Sequence, residues 1–255
     1  MLAEERRARI LEVLKSSQAV TVRELSRMLG ASERTIRRDL AALARYPFVR
    51  RTHGGAVSAN VGDGAELTLL ERYRLSTSEK ERIGKAAVAL LHPHDRVIID
   101  AGSTAYEVAR QIPQGMPLVV ITHAVNVVHA LLDKPDVEVI LCGGTLRRST
   151  LSLVGPDTVS AYGAIRADIA FLGATGVTPE LEFVNANRIE TEVKKAIIRV
   201  AQRSVVLVDH TKFGKLALMP FASPSSGITG VITDRRAPAD YVKRFRQAGV
   251  WVQVV

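Results

Sequence analysis

The sequence predicts an α/β chain built in two parts: a small N-terminal winged helix-turn-helix and a larger, mostly parallel α/β domain. Three observations predict it. Within residues 1–57, three helical patterns are followed by a basic hairpin. From residue 96 onward, apolar strand-like runs alternate with helical patterns. A length of 255 residues at 47% hydrophobic content suffices for one full core with a small accessory domain beside it. The implied boundaries are 1–57 for the first domain, 58–78 for a linker and 79–255 for the second.

Taken in order, Ile10, Leu11 and Leu14 recur at helical spacing. Thr21 and Glu24 have capping-box spacing ahead of Leu25, Met28 and Leu29, and Gly30 ends that helix. Ser32 is placed to cap a third helix, with Ile36, Leu40 and Leu43 on one side of the wheel and Arg34, Arg37, Arg38 and Arg45 on the other. After Pro47, FVRRTHGGAV reads as strand, turn and strand, with Gly54 and Gly55 expected to supply backbone angles that other residues avoid. Residues 58–78 lack a sustained period, and Ser76 with Glu79 has capping-box spacing for the helix that follows. Next come RVIID, a helix from Thr104, PLVVIT, a helix through Val128, VEVILC, DIAFLGATG, a helix through Lys194, SVVLVD, ITGVITD and a last helix before WVQVV. That rhythm predicts a sheet covered by helices on both faces.

Charge is distributed unevenly along this frame. Of the formal net charge of +9, residues 1–57 carry +6 (12 basic against 6 acidic side chains) and the other residues +3. Such a concentration points to a nucleic-acid-binding module. One cysteine, Cys142, excludes an internal disulfide and a multi-cysteine metal site. The charged, amphipathic N-terminus has no signal-peptide core, and no stretch has the roughly 18 apolar residues needed to span a bilayer. A soluble cytoplasmic protein with no membrane partner is expected.

An arginine-studded helix after a tight turn suits the major groove, where arginine grips guanine edges with paired hydrogen bonds. Arg50, Arg51 and His53 flank the hairpin tip, where a wing meets phosphate or the minor groove; His53 has the alternative of capping the turn. The run ERRARILEVLKSSQAVTVRELSRMLGASERTIRRDLAAL followed by RRTHGGAV resembles the DeoR family of bacterial sugar-catabolism regulators, TIRRDL with HGGA being its specific signature. The resemblance implies that Ser32, Arg34, Thr35, Arg37 and Arg38 lie at or near double-stranded operator DNA. Arg51, His53, Gly54 and Gly55 form the supporting wing, with Thr21 and Arg50 beside them. Pro47 departs from the family's usual glycine.

Open α/β sheets bind ligands outside the carboxyl ends of their strands, and Asp100, Asp209 and Asp234 stand at three such ends. DAGSTAYEVARQI sets Gly102, Ser103 and Thr104 between a strand and a helix, with Thr104 and Glu107 at capping-box spacing. Free N–H groups and the helix dipole there favour an anion. The glycines after Cys142, together with Lys212, can approach the same mouth. Lys194 offers a second cation, or else pairs with Glu190 four residues earlier. The resemblance extends over nearly the whole chain and implies a sensor domain similar to sugar-phosphate isomerase folds, responsive to a phosphorylated sugar. The matching effector-binding positions are Asp100, Gly102, Ser103, Thr104, Thr122, Gly143, Gly144, Glu192, Lys194, Asp209 and Lys212. His123 stands where the family usually has asparagine, and Ser103 replaces the first of a threonine pair.

The expectation is a repressor of a carbohydrate operon acting as a homo-oligomer, dimer or tetramer, with no catalytic role, cofactor or metal. Two alternatives stand beside it. A sugar-phosphate isomerase would use Asp100, Asp209 or Glu192 as base with Lys212 in support, and a metal-sensing regulator would use His92, His94 and Asp95.

Overall fold

The computed structural model describes residues 6–7, 9–10, 13, 19–43, 49–52, 54–58, 69–73 and 75–255. Leu11, Leu14, Arg45, Pro47 and His53 lie outside the described residues, as do 59–68. The chain divides into two compact units, residues 1–67 and 68–255.

In the first unit, Arg6, Arg7, Arg9, Ile10 and Val13 are helical. β1 (Ala19–Thr21) leads into α1 (Val22–Leu29), α2 (Glu33–Leu43), β2 (Val49–Thr52) and β3 (Gly55–Ser58). The hairpin pairs antiparallel, and β1 adds a third strand on its β3 side. The Thr21–Glu24 capping box closes as expected: Glu24 N–H donates to Thr21 Oγ1 at 3.1 Å, and Thr21 N–H to Glu24 Oε2 at 2.8 Å. Gly30 ends α1 in the left-handed conformation, φ 60°. Ile10, Val20, Val22, Leu25, Ile36, Leu40 and Leu43 form the core, while Met28, expected among the apolar positions, is exposed. The wing glycines act differently from the expectation. Neither takes a left-handed φ; Gly55 is required because a Cβ there would lie 2.1 Å from the Val20 carbonyl oxygen, where β1 crosses the hairpin.

The second unit begins within the expected linker, since Leu69–Tyr73 form helix α3 with Leu69 buried. α4 (Thr77–Val88) follows, but not through the expected box: Ser76 sits in the left-handed region, φ 50°, and its side chain caps nothing. The chain then runs through β4 (Arg96–Ile99), α5 (Ser103–Gln111), β5 (Leu118–Thr122), α6 (Val125–Leu131), β6 (Val137–Leu141), a hairpin of β7 (Thr145–Arg147) and β8 (Ser152–Val154), and α7 (Pro156–Gly163). After these come β9 (Ala167–Gly173), β10 (Gly176–Val177), β11 (Phe183–Asn185), α8 (Arg188–Val200), β12 (Ala201–Leu207), a 3-10 turn at His210–Lys212, β13 (Met219–Ala222), β14 (Ile228–Thr233), α9 (Ala239–Gln247) and β15 (Trp251–Val254).

Seven strands form one parallel sheet in the order β15-β14-β12-β9-β4-β5-β6. Both faces are apolar. Val97, Ile99, Ile169 and Phe171 pack under α4, α5 and α6, whereas Ile98, Ala170 and Leu172 pack under α7 and α8. Burial on two faces is why these strands read as continuous hydrophobic runs. From β4 the order proceeds outward through β5 and β6, and from β9 the opposite way, so the β4–β9 pair is the topological switch point.

The first unit's core is closed by charge as well as by apolar contact. Asp39, on the inner side of α2, is 1% exposed and receives Arg6 Nε at 2.6 Å and Arg7 Nε at 2.9 Å. Replacing it removes the buried carboxylate that receives both arginines, so Asp39→Ala should cost the first unit about 3 kcal/mol. Hydrogen exchange at the Leu40 and Leu43 amides should accelerate by roughly two orders of magnitude, with the strands of the large sheet unaffected; unchanged protection in α2 would contradict this role for Asp39.

Candidate functional site

The helix-turn-helix presents its basic face from a well-fixed α2. In the turn, Ser26 Oγ donates to the Ala31 carbonyl at 2.6 Å, and Thr35 N–H donates to Ser32 Oγ at 3.2 Å, so Ser32 caps α2. With Ile36, Leu40 and Leu43 buried, Arg34, Arg37 and Arg38 are exposed. They are not equivalent. Arg37 pairs with Glu33 at 2.9 Å one turn back, while Arg34 and Arg38 sit four residues apart on one stripe. Thr21 spends its hydroxyl on the α1 cap. Val22 N–H donates to the Gly54 carbonyl at 2.9 Å, tying the hairpin tip to α1. Arg50 and Arg51 lie on β2, on the strand that borders this tip.

At the carboxyl end of the large sheet the switch point holds a buried ionic cluster. Asp100, directly after β4, accepts from the Lys194 ammonium of α8 and, at 2.9 Å, from Gly173 N–H at the end of β9. Lys194 also donates to the Gly173 carbonyl at 2.8 Å. Both side chains are nearly inaccessible, so Lys194 takes Asp100 and not Glu190 as its partner. Asp100 is committed beneath the surface, its carboxylate engaged by Lys194 and Gly173 N–H. His123 Nε2 lies 3.6 Å from Asp100 Oδ1, and its Nδ1 is hydrogen-bonded to the Tyr162 hydroxyl at 2.9 Å. Burial lowers His123 below the ordinary imidazole range against the opposing pull of Asp100. The ring is therefore neutral near pH 7. Thr122 Oγ1 donates to the Ile99 carbonyl at 2.7 Å and accepts Ala124 N–H at 3.1 Å, so it braces β5 to β4.

Beside this cluster α5 begins without a side-chain cap. Gly102 holds φ +128° with open space where a Cβ would be, and the expected Thr104–Glu107 box is absent because the helix already starts at Ser103. Glu107 pairs with Arg110 at 2.8 Å instead. The first-turn N–H groups have no intrahelical acceptor, leaving the positive end of the helix open at the mouth. Gly143 faces open space, whereas a Cβ on Gly144, φ +141°, would fall 2.1 Å from Thr158 Oγ1, so Gly144 serves packing.

Two strands from β4, Asp209 follows β12 and caps the turn through Thr211 N–H at 2.9 Å, bringing Lys212 to the same end of the sheet. Burial lowers the Lys212 ammonium, with Asp209 opposing. Asp234 is absorbed by its turn, accepting His210 N–H at 2.6 Å and Arg236 N–H at 2.9 Å. Glu192 is a correction: it is half exposed and pairs with Lys195 at 3.1 Å, away from the cluster. The glutamate that α8 turns inward is Glu190, which accepts Thr150 Oγ1 at 2.7 Å and Asn185 Nδ2 at 3.1 Å. Burial works to raise Glu190, but these bonds with Lys194 and Arg147 outweigh it, and the carboxyl stays below its usual range.

Lys80 went unnoticed in the sequence because a lysine in an amphipathic helix reads as solvated. It is 4% exposed, and its ammonium binds the Arg72 carbonyl and, at 2.5 Å, the Leu75 carbonyl just beyond α3. His92, His94 and Asp95 form a turn in which His92 N–H donates to Asp95 Oδ2 at 2.9 Å. Among the described residues no group of three or more His, Cys, Asp or Glu is arranged to hold a metal, and no helix is long and apolar enough to cross a membrane.

Burial lowers Lys80 from 10.5 to about 8, Asp209 opposing and Lys212 adding to it. Between those pH values the unfolded chain binds the extra proton, so this residue makes stability rise with pH. Relative to Lys80→Met, the wild-type unfolding free energy should gain up to about 3 kcal/mol between pH 8 and 10.5. Urea denaturation at each pH measures it; two parallel curves would contradict the assignment.

Two family models match the chain: the DeoR-like helix-turn-helix domain over residues 6–61 and the DeoR C terminal sensor domain over residues 75–235. A putative aga operon transcriptional repressor of Escherichia coli O157:H7 is 33% identical over 98% of this chain and 93% of its own length. The glycerol-3-phosphate regulon repressor of Escherichia coli K12 is 31% identical over 92% of each. Among solved structures, ribose 5-phosphate isomerase A from Methanocaldococcus jannaschii aligns over 54% of this chain and 55% of that one, at 21% identity and a TM-score of 0.40. With a sensor-domain match across more than half its length and whole-length relatives above 30% identity, the chain belongs to the DeoR family of helix-turn-helix transcriptional regulators.

Proposed function

We propose that the chain represses a carbohydrate-catabolism operon and that a phosphorylated sugar, bound at the carboxyl end of the large sheet, changes its grip on operator DNA. The observation that carries the effector reading is the uncapped start of α5 at Gly102, Ser103 and Thr104, beside the switch point and on the same sheet end as Lys212. A phosphate there meets free N–H groups and the helix dipole, with Lys212 as counter-ion. Lys194 and Asp100 keep the floor rigid. The names of the two repressors given above, one for a glycerol phosphate regulon, support the ligand class. An isomerase reading is weaker, since its three candidate bases are otherwise engaged: Asp100 is buried and held by Lys194, Asp209 accepts Thr211 N–H, and Glu192 pairs with Lys195.

On DNA, Arg34 and Arg38 read base edges, Arg37 is aligned by Glu33, and Ser32, Thr35 and the wing with Arg50, Arg51 and His53 hold phosphates. One small winged module rarely supplies enough contacts for a specific site, so the protein acts as a symmetric oligomer on paired half-sites.

Arg38→Ala should weaken binding to an operator selected from random-sequence DNA by about 1–3 kcal/mol, measured by fluorescence anisotropy at fixed salt; operator affinity equal to wild type removes α2 from the reading role. Lys212→Ala should keep effector-free DNA binding and lose the response to the sugar phosphate. In the wild type, operator DNA should change effector affinity by the same factor as effector changes DNA affinity, roughly 5- to 150-fold. A Lys212→Ala protein that still responds normally refutes the phosphate seat.

A further inference from the structure

A cleft of about 410 Å³ opens next to the start of α5, lined by Tyr73, Tyr106, Val125, Asn126, His129 and Leu151. That volume lies in the range of small-ligand pockets, about 300–1,000 Å³. Its walls come from α3, α5, α6 and the turn between β7 and β8. Tyr73 and Tyr106 meet edge to face, 5.0 Å apart at 70°. Asn126 is 8% exposed; its Nδ2 donates to the Tyr73 hydroxyl at 2.8 Å, while its Oδ1 is buried with no hydrogen-bond partner. A buried carbonyl oxygen without a donor is a costly feature and marks a place where a donor belongs. Leu151 is held at φ 51°, a left-handed conformation that a leucine keeps only under constraint from its surroundings. Lysine, arginine, aspartate and glutamate are all missing from the lining. The surface is aromatic, with a donor and an acceptor but no strong charge.

This chemistry differs from that of the phosphate seat. Tyr106 stands one helical turn, about 5.4 Å, along α5 from Gly102 and Ser103, and Val125 and Asn126 open α6 directly after Thr122 and His123. A ligand with its anionic end on the start of α5 would reach this cleft with its other end.

We propose that the cleft is the hydroxyl compartment of the effector site, taking the uncharged, hydroxylated end of the sugar phosphate and setting which sugar is accepted. Ring carbons pack their C–H groups on Tyr73 and Tyr106, the Tyr73 O–H donates to one hydroxyl, and a small rotation of the Asn126 side chain brings its buried Oδ1 to another. Burial pushes the Tyr73 phenol up to about 12, which keeps its proton available for donation at neutral pH. The assignment rests on the effector reading above.

The test uses the full-length chain. A thermal-shift panel of ribose 5-phosphate, fructose 6-phosphate, glucosamine 6-phosphate, glycerol 3-phosphate and inorganic phosphate selects the tightest binder, which is titrated calorimetrically into wild type, Tyr73→Phe, Tyr106→Ala and Val125→Trp. Val125 is 40% exposed at the rim, so its replacement fills the cleft without disturbing the core. Sugar phosphate affinity should fall at least about tenfold in Tyr106→Ala and Val125→Trp and several-fold in Tyr73→Phe, while inorganic phosphate binds all four proteins alike. Wild-type affinity for the sugar phosphate in both Tyr106→Ala and Val125→Trp overturns the compartment; if Lys212→Ala, titrated separately with the same ligand, has lost binding, the phosphate seat survives that result. Equal losses for sugar phosphate and inorganic phosphate overturn it too, and a panel without any binder overturns the effector reading together with the compartment.

Discussion

The ion pair between Asp100 and Lys194 is the contact on which the geometry of the large domain turns. It joins the end of β4 to a helix 94 residues later, across the point where strand order reverses. An isolated charge of either sign could not be tolerated at this depth, and loss of one member of such a pair commonly costs about 3–5 kcal/mol. Gly173 completes it by offering N–H to the carboxylate and C=O to the ammonium. One residue of β9 thereby registers both charges. The pair positions α8, α8 turns Glu190 toward Thr150 and Asn185, and those contacts hold the β7–β8 hairpin over the start of α6. Fixing one charge pair thus shapes the whole rim.

The sequence made the seven-stranded sheet legible because its inner strands are buried on both faces and bounded by polar turns. RVIID, PLVVIT and SVVLVD could be little else. Short elements escaped: β1, the β7–β8 hairpin, and the antiparallel β10-β11-β13 sheet span two to four residues per strand, too few for a period to register. Helix starts were read from spacing alone, and there the result was mixed. Thr21–Glu24 closes as a box, but Ser76 and Thr104 do not cap, because tertiary packing decides whether a short side chain turns back to its own backbone.

Side-chain direction was the other limit. Glu190 and Glu192 lie on one helix, two residues apart, and hence on opposing sides; which side faces inward depends on the rotation of α8, set by Lys194 reaching Asp100. Asp39 reads as one more acidic residue among arginines in TIRRDL, yet the fold buries it and gives it Arg6 and Arg7. Lys80 carries no local signal at all. Its two acceptors are main-chain carbonyls, and these come within reach only once α3 and the turn after it have formed.

α3, where the described part of the second unit opens, is bound into the rest of that unit. α3 is buckled down at three places: Leu69 N–H to the Ser149 carbonyl at 2.8 Å, Lys80 to the carbonyls of Arg72 and Leu75, and Tyr73 to Asn126. Every fastener belongs to an element that borders the mouth of the sheet. The first helix of the second unit is therefore anchored at the rim of the sheet, so that α3 and the rim are held in place by the same few residues.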